Sequence, residues 1–157
     1  MAGLTMEDVN RLAADPSVAT RTNTAVMLAD AANLKILNPA EMALANEIFR
    51  LMVRDAEVRV REALSANLKN NPSIPHDVAL TLARDVDSVA LPILAYSEIL
   101  TTADLVQIVN AQSSLGKMYA IAGRSAVDEQ VAAVLVEQGS EKVVGRLMAN
   151  PGAVVSE

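Results

Sequence analysis

Short polar breaks interrupt this sequence at a nearly constant interval, and that interval constrains the fold more than any other feature. One set of breaks recurs roughly every 27 residues, at Pro72, Glu98, Ser125 and Pro151. A second set, at Asp85, Gln112 and Gly139, has the same period. Toward the N-terminus the period lengthens, to roughly 40 residues between Asp15 and Asp55. Two elements per period are typical of stacked hairpins, in which each hairpin buries its apolar face against its neighbours.

The apolar residues between the breaks recur at helical spacing. Val60, Leu64 and Leu68 step by four positions along one helix face. Helix starts are indicated by residue pairs with the offset of a capping box, which are Thr5 with Asp8, Asn38 with Glu41, Thr101 with Asp104, and Ser125 with Asp128. We therefore predict an all-α fold, a right-handed α-solenoid of about ten helices in five pairs.

The second helix of several pairs begins with a shared pattern of an acid, a valine and an arginine. Asp15, Val18 and Arg21 align without gaps with Asp55, Val58 and Arg61, and a looser copy runs from Gly139 through Val143 to Arg146. This pattern is typical of HEAT-like repeats, in which the acid caps the second helix and the arginine pairs along the stack. We predict the same ladder of ion pairs here.

Three segments carry a family resemblance, at residues 54–64, 75–85 and 88–94. They read Arg54-Asp-Ala-Glu-Val-Arg-Val-Arg-Glu-Ala-Leu64, Pro75-His-Asp-Val-Ala-Leu-Thr-Leu-Ala-Arg-Asp85 and Ser88-Val-Ala-Leu-Pro-Ile-Leu94. Over residues of about 40 to 110 the chain resembles a bacterial family catalogued as domain of unknown function 2336. The resemblance implies HEAT-like helical repeats, often followed by further sequence, and implies no catalytic residue or cofactor.

Residues 1–157 are predicted to form a single HEAT-like helical-repeat domain. Asn150-Pro151-Gly152 repeats the lead-in Asn71-Pro72-Ser73 that precedes another helix pair. The expectation is therefore that the chain is the N-terminal part of a longer protein.

Composition narrows the function classes. The chain has 13 basic and 19 acidic residues, a net charge of −6, and an isoelectric point near 4.8. Proteins that hold nucleic acid usually cluster Lys and Arg, so this balance argues against a general nucleic-acid binder. The absence of Cys excludes disulfides and Cys-ligated zinc. The apolar runs are too short to span a bilayer, so we predict no membrane insertion and a cytoplasmic location.

The search for chemistry yields no catalytic residue, no cofactor-binding residue and no metal ligand set. His76 is the single histidine and is predicted to lie at the surface or to cap its helix. Pro92 is predicted in the first turn of a helix that starts at Ser88. Met27 and Met148, together with other methionines in helices, are predicted to fill the core.

These observations favour a non-catalytic scaffold that binds an unidentified protein or the C-terminal region of its own longer chain. Its candidate partner-binding residues are Arg59, Arg61, Tyr96 and Tyr119, on the second helices of the hairpins, which usually line the inner face of a solenoid. The alternative is nucleic-acid or phosphate binding through an arginine cluster within residues 50–69, which requires guanidinium groups free of carboxylate partners. An enzyme and a self-associating module remain minor alternatives.

Overall fold

The computed structural model describes residues 7, 11–12, 14–111 and 113–156. This part of the chain contains nine α-helices with defined bounds, joined by short turns, and no β-strand, and one isolated parallel bridge links Val127 to Ala153. The all-α prediction is confirmed, and the predicted count of about ten helices is corrected to nine for these residues. The predicted start at Thr5 and Asp8 lies outside the described residues. The helices are α1 (Val18–Asn33), α2 (Pro39–Met52), α3 (Val58–Leu68), α4 (His76–Ala83), α5 (Asp87–Tyr96), α6 (Thr102–Asn110), α7 (Leu115–Ala122), α8 (Glu129–Gln138) and α9 (Glu141–Ala149).

Two of the predicted capping boxes define helix starts. Asn38 accepts from the backbone N–H of Glu41 at 2.8 Å, and the Glu41 carboxylate accepts from the N–H of Asn38 at 3.0 Å. Thr101 and Asp104 make the same reciprocal pair at the start of α6. The predicted pair of Ser125 with Asp128 is wrong, because Asp128 itself caps α8 by accepting from the N–H of Val131.

The nine helices pack in two layers. In the odd layer, the helices pack in succession, α1 on α3, α3 on α5, α5 on α7 and α7 on α9. In the even layer, α2 contacts α4 and α6 packs on α8, while consecutive helices pair across the two layers. The predicted stripe of Val60, Leu64 and Leu68 is fully buried. The core therefore runs along the whole stack as one continuous apolar layer.

Hydrogen bonds between successive hairpins repeat at the period of the sequence. Arg50 bonds to Asp77, Ser114 to Asp87, and Arg124 to the carbonyl of Ser97, each across 27 residues. The bonds of Ser114 and Arg124 join equivalent helix ends of neighbouring hairpins, so their separation equals one sequence period, whereas Arg50 in the last turn of α2 reaches Asp77 in the first turn of α4.

Three sequence predictions about residues within helices are wrong, one about helix position and two about burial. Helix α5 begins at Asp87, so Pro92 is its sixth residue and lies beyond the first turn, where it removes a helical N–H donor. Met27 and Met148 are 72% and 59% exposed, so neither fills the core. Helical spacing among apolar residues does not by itself separate core from surface positions.

The turn that follows α1 holds its backbone in a strained conformation. Lys35 has a φ of 57°, in the left-handed region that side chains disfavour. Its N–H donates to the carbonyl of Ala32, and the N–H of Ile36 donates to that of Ala31. These two bonds make a Schellman motif, which usually has glycine at the position of Lys35.

Replacing Lys35 with glycine is expected to raise the free energy of unfolding by about 0.5–1 kcal/mol. Glycine adopts this φ without a Cβ clash, and that gain exceeds the added entropy of the unfolded chain. Lys35→Ala is the matched control, because it removes the same charge but keeps Cβ, and no gain is expected. Urea denaturation followed by circular dichroism measures both, and equal stability of the two variants would contradict the strain argument.

Candidate partner-binding surface

Two arginines of the odd layer form the predicted ion-pair ladder. The Arg61 Nε donates to Asp85 at 2.6 Å, and its Nη1 donates to the carbonyl of Asp55 at 2.6 Å. Arg21 repeats this geometry one hairpin earlier, with Nε 2.8 Å from the Asp55 carboxylate and Nη1 bonded to the carbonyl of Asp15. The ladder predicted from the sequence is confirmed for these two rungs.

The carboxylates of the ladder are held in their ionised form. Burial by itself would raise the pKa of Asp85, but the hydrogen bonds from Arg61 and from the N–H of Val86 more than offset it, so the pKa lies below its usual range. Asp55 behaves in the same way, with burial opposed by Arg21 and the N–H of Glu57. The ladder therefore consists of fixed charges rather than groups poised for proton transfer.

The arginine cluster of residues 50–69 is divided between paired and unpaired cations. Arg50 bonds to both Asp77 and Glu47 at 2.9 Å, and Arg61 is held in the ladder. Within the described residues, the other three cations have no carboxylate partner, namely Arg54, Arg59 and Lys69. The requirement for free guanidinium groups is thus met by only part of the cluster.

The two tyrosines differ in exposure, and each carries a cation on its ring. Tyr96 is 57% exposed, with the Lys69 Nζ 4.8 Å from its ring centroid. Tyr119 is half-buried, with Arg146 4.1 Å and Lys142 5.0 Å from its centroid. That Arg59, Arg61, Tyr96 and Tyr119 contact a partner stays a prediction. Of these four, Arg61 already has its guanidinium engaged within the fold.

Charge is segregated between the layers. Within the helix bounds, the even layer has one basic side chain, Arg50, and six acidic ones, which are Glu41, Glu47, Asp77, Asp104, Glu129 and Glu137. The odd layer has four acidic side chains, Asp30, Glu62, Asp87 and Glu141, and six basic ones, Arg21, Arg59, Arg61, Lys117, Lys142 and Arg146. The even layer is therefore strongly negative and the odd layer positive, in a protein whose total charge is negative.

Between α7 and α9 lies a groove of about 250 Å³. Its lining consists of Leu115, Gly116, Tyr119, Ser140, Lys142 and Val143. We call this the α7–α9 groove. Lys142 is the one charged residue of this lining, and the lining belongs entirely to the odd layer.

An inter-helix pair that the sequence analysis missed involves the single histidine. The His76 Nε2 lies 2.6 Å from the Asp104 carboxylate, and Asp104 also accepts from the N–H of Thr101. Burial by itself would raise the pKa of Asp104, but the hydrogen bonds from Thr101 and His76 more than offset it, so the pKa lies below its usual range. The only sequence signal was the separation of the pair, which is close to one repeat. The pair ties the start of α4 to the start of α6.

Two further side chains cap the ends of odd-layer helices across hairpins. Arg124 donates to the carbonyls of Leu94 and Ser97, each at 2.6 Å. Asn150 donates to the carbonyls of Ala122 and Arg124 at 2.8 and 2.7 Å. Burial lowers the pKa of Arg124. Both residues satisfy carbonyls that a helix end leaves without partners, which joins each hairpin to the one before it.

The described residues contain neither a metal-binding cluster nor a helix that could span a membrane. No group of three or more His, Asp or Glu side chains in this part of the chain is placed to hold a metal ion. Among the helices described, none combines the length and the apolar character needed to cross a membrane.

Comparison with known protein families gives a match in the C-terminal part of the chain. A family described as an uncharacterised protein conserved in bacteria, domain of unknown function 2336, matches residues 89–157. This segment belongs to that family. The resemblance predicted from the sequence is confirmed there, although residues 54–64 and 75–85, which also carried it, precede the matched segment. The domain of unknown function 2336 segment includes both tyrosines and the α7–α9 groove. No curated protein and no solved structure matches the chain.

Proposed function

We propose that the chain is a non-catalytic helical-repeat scaffold, a right-handed α-solenoid of HEAT-like hairpins that binds a protein partner through its odd layer. The sequential packing of the odd helices and the hydrogen bonds repeated at the sequence period support the solenoid arrangement. The partner is a separate protein or a C-terminal region of the same polypeptide.

The observation that carries this proposal is the composition of the odd-layer surface. Most of the large apolar side chains exposed on helices belong to this layer, which contributes Met27, Val58, Tyr96, Leu115 and Met148, whereas the even layer contributes Leu51 and Val136. Unpaired cations lie on the same layer as these apolar side chains. A surface that mixes exposed aromatic and apolar anchors with charges is typical of protein interfaces.

The second candidate function is phosphate or nucleic-acid binding through residues 50–69. The absence of carboxylate partners on Arg54, Arg59 and Lys69 within the described residues favours it. Phosphate binding would use these three cations, because Arg50 and Arg61 would have to break existing ion pairs. The acidic even layer lowers the affinity for any long polyanion.

Site-specific photo-crosslinking in the native host tests the scaffold proposal. A photoreactive residue is placed at the exposed alanines Ala66 and Ala149 of the odd layer, and at the exposed Ala103 and Ala133 of the even layer as controls. A discrete crosslinked product at the odd-layer positions and none at the even-layer positions is expected. Equal crosslinking of both layers, crosslinking of the even layer alone, or no product at any position would refute the proposal.

A further inference from the structure

We propose that the α7–α9 groove binds an acidic segment of the partner protein, with an aromatic or apolar side chain in the groove and a carboxylate on Lys142 and Arg146. This inference rests on the proposed scaffold function and adds the chemistry of the partner. Charge complementarity selects the occupant, because Lys142 lines the groove, Arg146 lies over the ring of Tyr119 beside it, and the rest of the lining is uncharged.

Two cations lie beside the groove with no carboxylate partner among the described residues. Lys142, which lines the groove, and Arg146 lie one turn apart on α9, and both face the ring of Tyr119. Arg54 and Arg59 are likewise without a carboxylate partner in this part of the chain, whereas Arg21, Arg50 and Arg61 form ion pairs. Like charges at this spacing repel each other. An incoming carboxylate would remove that repulsion.

The position of Lys142 adds to the positive potential. It is the second residue of α9, near the positive end of the helix dipole, where a cation is disfavoured. The four even-layer helices and α9 each carry an acid in the first turn, and in the odd layer α3 and α7 also have a basic residue there, Arg59 and Lys117. In α9 Glu141 precedes the lysine, but adjacent residues of a helix do not face each other. A lysine in the first turn of α9 therefore costs stability locally and favours anion binding.

The shape of the groove suits one side chain of a peptide. Its volume of about 250 Å³ is bounded by Leu115, which is 57% exposed, and by the half-buried ring of Tyr119. Gly116 leaves one wall without a side chain. The carboxylate beside Gly116 is that of Asp87, which accepts from the hydroxyl of Ser114 at 2.8 and 2.9 Å, and no ion pair joins it to Lys142.

A peptide fits this site better than a nucleic acid does. Sequence-independent binding of single strands uses open aromatic faces on which bases stack. The ring of Tyr119 is instead covered by two cations of its own chain. The groove thus offers a small apolar recess with charges at its rim, which matches a carboxylate next to an apolar side chain.

Fluorescence anisotropy with a fluorescein-labelled random copolymer of glutamate and tyrosine tests the inference. The wild-type chain is expected to bind this copolymer saturably, more tightly than polyglutamate, and not to bind a copolymer of lysine and tyrosine. The double variant Lys142→Gln with Arg146→Gln is expected to bind about tenfold more weakly. The control double variant, Lys35→Gln with Arg84→Gln, removes the same charge at exposed positions outside the groove and is expected to stay within about twofold of wild type.

A second variant tests the position of the Arg146 guanidinium separately from its charge. A Cβ on Gly123 would lie 2.0 Å from the Arg146 Nη2, so Gly123→Ala displaces the guanidinium while the charge remains. We expect this variant to bind more weakly than wild type and more tightly than the double variant. Wild-type affinity in Gly123→Ala would overturn the placement of the site in the groove.

Other outcomes also overturn the inference. They are the absence of saturable binding, an equal loss in the control double variant, or tighter binding of single-stranded poly-deoxythymidine than of the glutamate and tyrosine copolymer. Crosslinking from Ala66 or Ala149 without copolymer binding would leave the scaffold proposal standing and remove only the acidic partner. Copolymer binding without crosslinking would show that the groove binds acidic segments but would remove the scaffold proposal.

Discussion

Replacing Arg61 with methionine is expected to lower the free energy of unfolding by about 2–3 kcal/mol. The guanidinium makes two bonds to the Asp85 carboxylate and one to the carbonyl of Asp55. The side chains of Arg61 and Asp85 are only 15% and 11% exposed. Methionine keeps most of the aliphatic packing but leaves a largely buried carboxylate without its cation, and that unpaired charge accounts for most of the loss.

Arg59→Met is the matched control for this variant. Arg59 lies two residues away on α3, is exposed, and makes no ion pair with any described residue. Its replacement is expected to change stability by no more than about 0.5 kcal/mol. Urea denaturation near neutral pH measures both variants. Equal effects of the two substitutions would show that the ladder contributes nothing to stability.

The same ladder is expected to make the protein less stable as the pH falls. The pKa values of Asp55 and Asp85 are lower in the folded chain than in the unfolded chain. Their stabilisation is therefore fully present above the unfolded value, about 4, and is lost as pH falls through the lower folded value. In Arg61→Met, burial without the cation raises the pKa of Asp85, so the loss of stability on acidification is expected to be shallower. Parallel pH profiles for the two proteins would contradict this assignment.

The periodicity and the ladder were predictable because they depend on side chains at fixed offsets. An acid and an arginine recur at one repeat length, and a two-helix repeat brings such residues together in neighbouring hairpins. The looser copy of the pattern at Val143 and Arg146 shows the limit of this argument. Arg61 is the fourth residue of α3, whereas Arg146 is the sixth residue of α9, so it faces Tyr119 rather than a ladder carboxylate. A shift of two positions, which sequence alignment tolerated, changed what the guanidinium contacts.

The cross-hairpin caps were not predictable from the sequence for a different reason. Arg124 and Asn150 donate to backbone carbonyls, and a backbone carbonyl has the same chemistry at every residue. No pattern of residue types therefore marks the acceptor. The likeness of Asn150-Pro151 to Asn71-Pro72 was visible, and Asn71 does bond across hairpins, to the side chain of Asn33. The sequence showed that the two turns are alike without showing what they bind.

The sequence predicted only one residue of the α7–α9 groove as part of a binding surface. Tyr119 was a candidate residue, but Arg146 was predicted only as a ladder arginine and Lys142 carried no signal, because cations on a helix usually belong to a solvated face. Their significance appears only when both are found beside the Tyr119 ring without the carboxylate partners that Arg21, Arg50 and Arg61 have among the described residues. The prediction of a binding surface therefore depends on the contrast between two sets of cations, and that contrast exists only in three dimensions.

Replacing Asn150 with aspartate is expected to lower the free energy of unfolding by about 2–3 kcal/mol near neutral pH. The Asn150 amide donates to two carbonyls, of Ala122 and Arg124, and its oxygen accepts from the N–H of Gly152 at 2.9 Å. Aspartate has the same shape and keeps the acceptor. It replaces the donor with an anionic oxygen that faces two carbonyl oxygens, so two favourable contacts become repulsive. Hydrogen bonds with Val127 hold the turn in place, because the Val127 N–H donates to the carbonyl of Gly152 at 3.0 Å and its carbonyl accepts from the N–H of Val154 at 2.9 Å.

This loss is expected to shrink on acidification, opposite to the behaviour of the ladder. The two carbonyls raise the pKa of the introduced carboxyl in the folded chain, and the protonated form donates one hydrogen bond. The raised pKa makes stability greatest below the unfolded value, about 4, and lower as pH rises through the folded value. Asn70→Asp introduces the same charge at an exposed position and is expected to change stability by no more than about 0.5 kcal/mol. Denaturation of both variants across the acidic range distinguishes a local donor-to-acceptor change from a general effect of charge, and a deficit in Asn150→Asp that is independent of pH would show that its amide does not hold the two carbonyls.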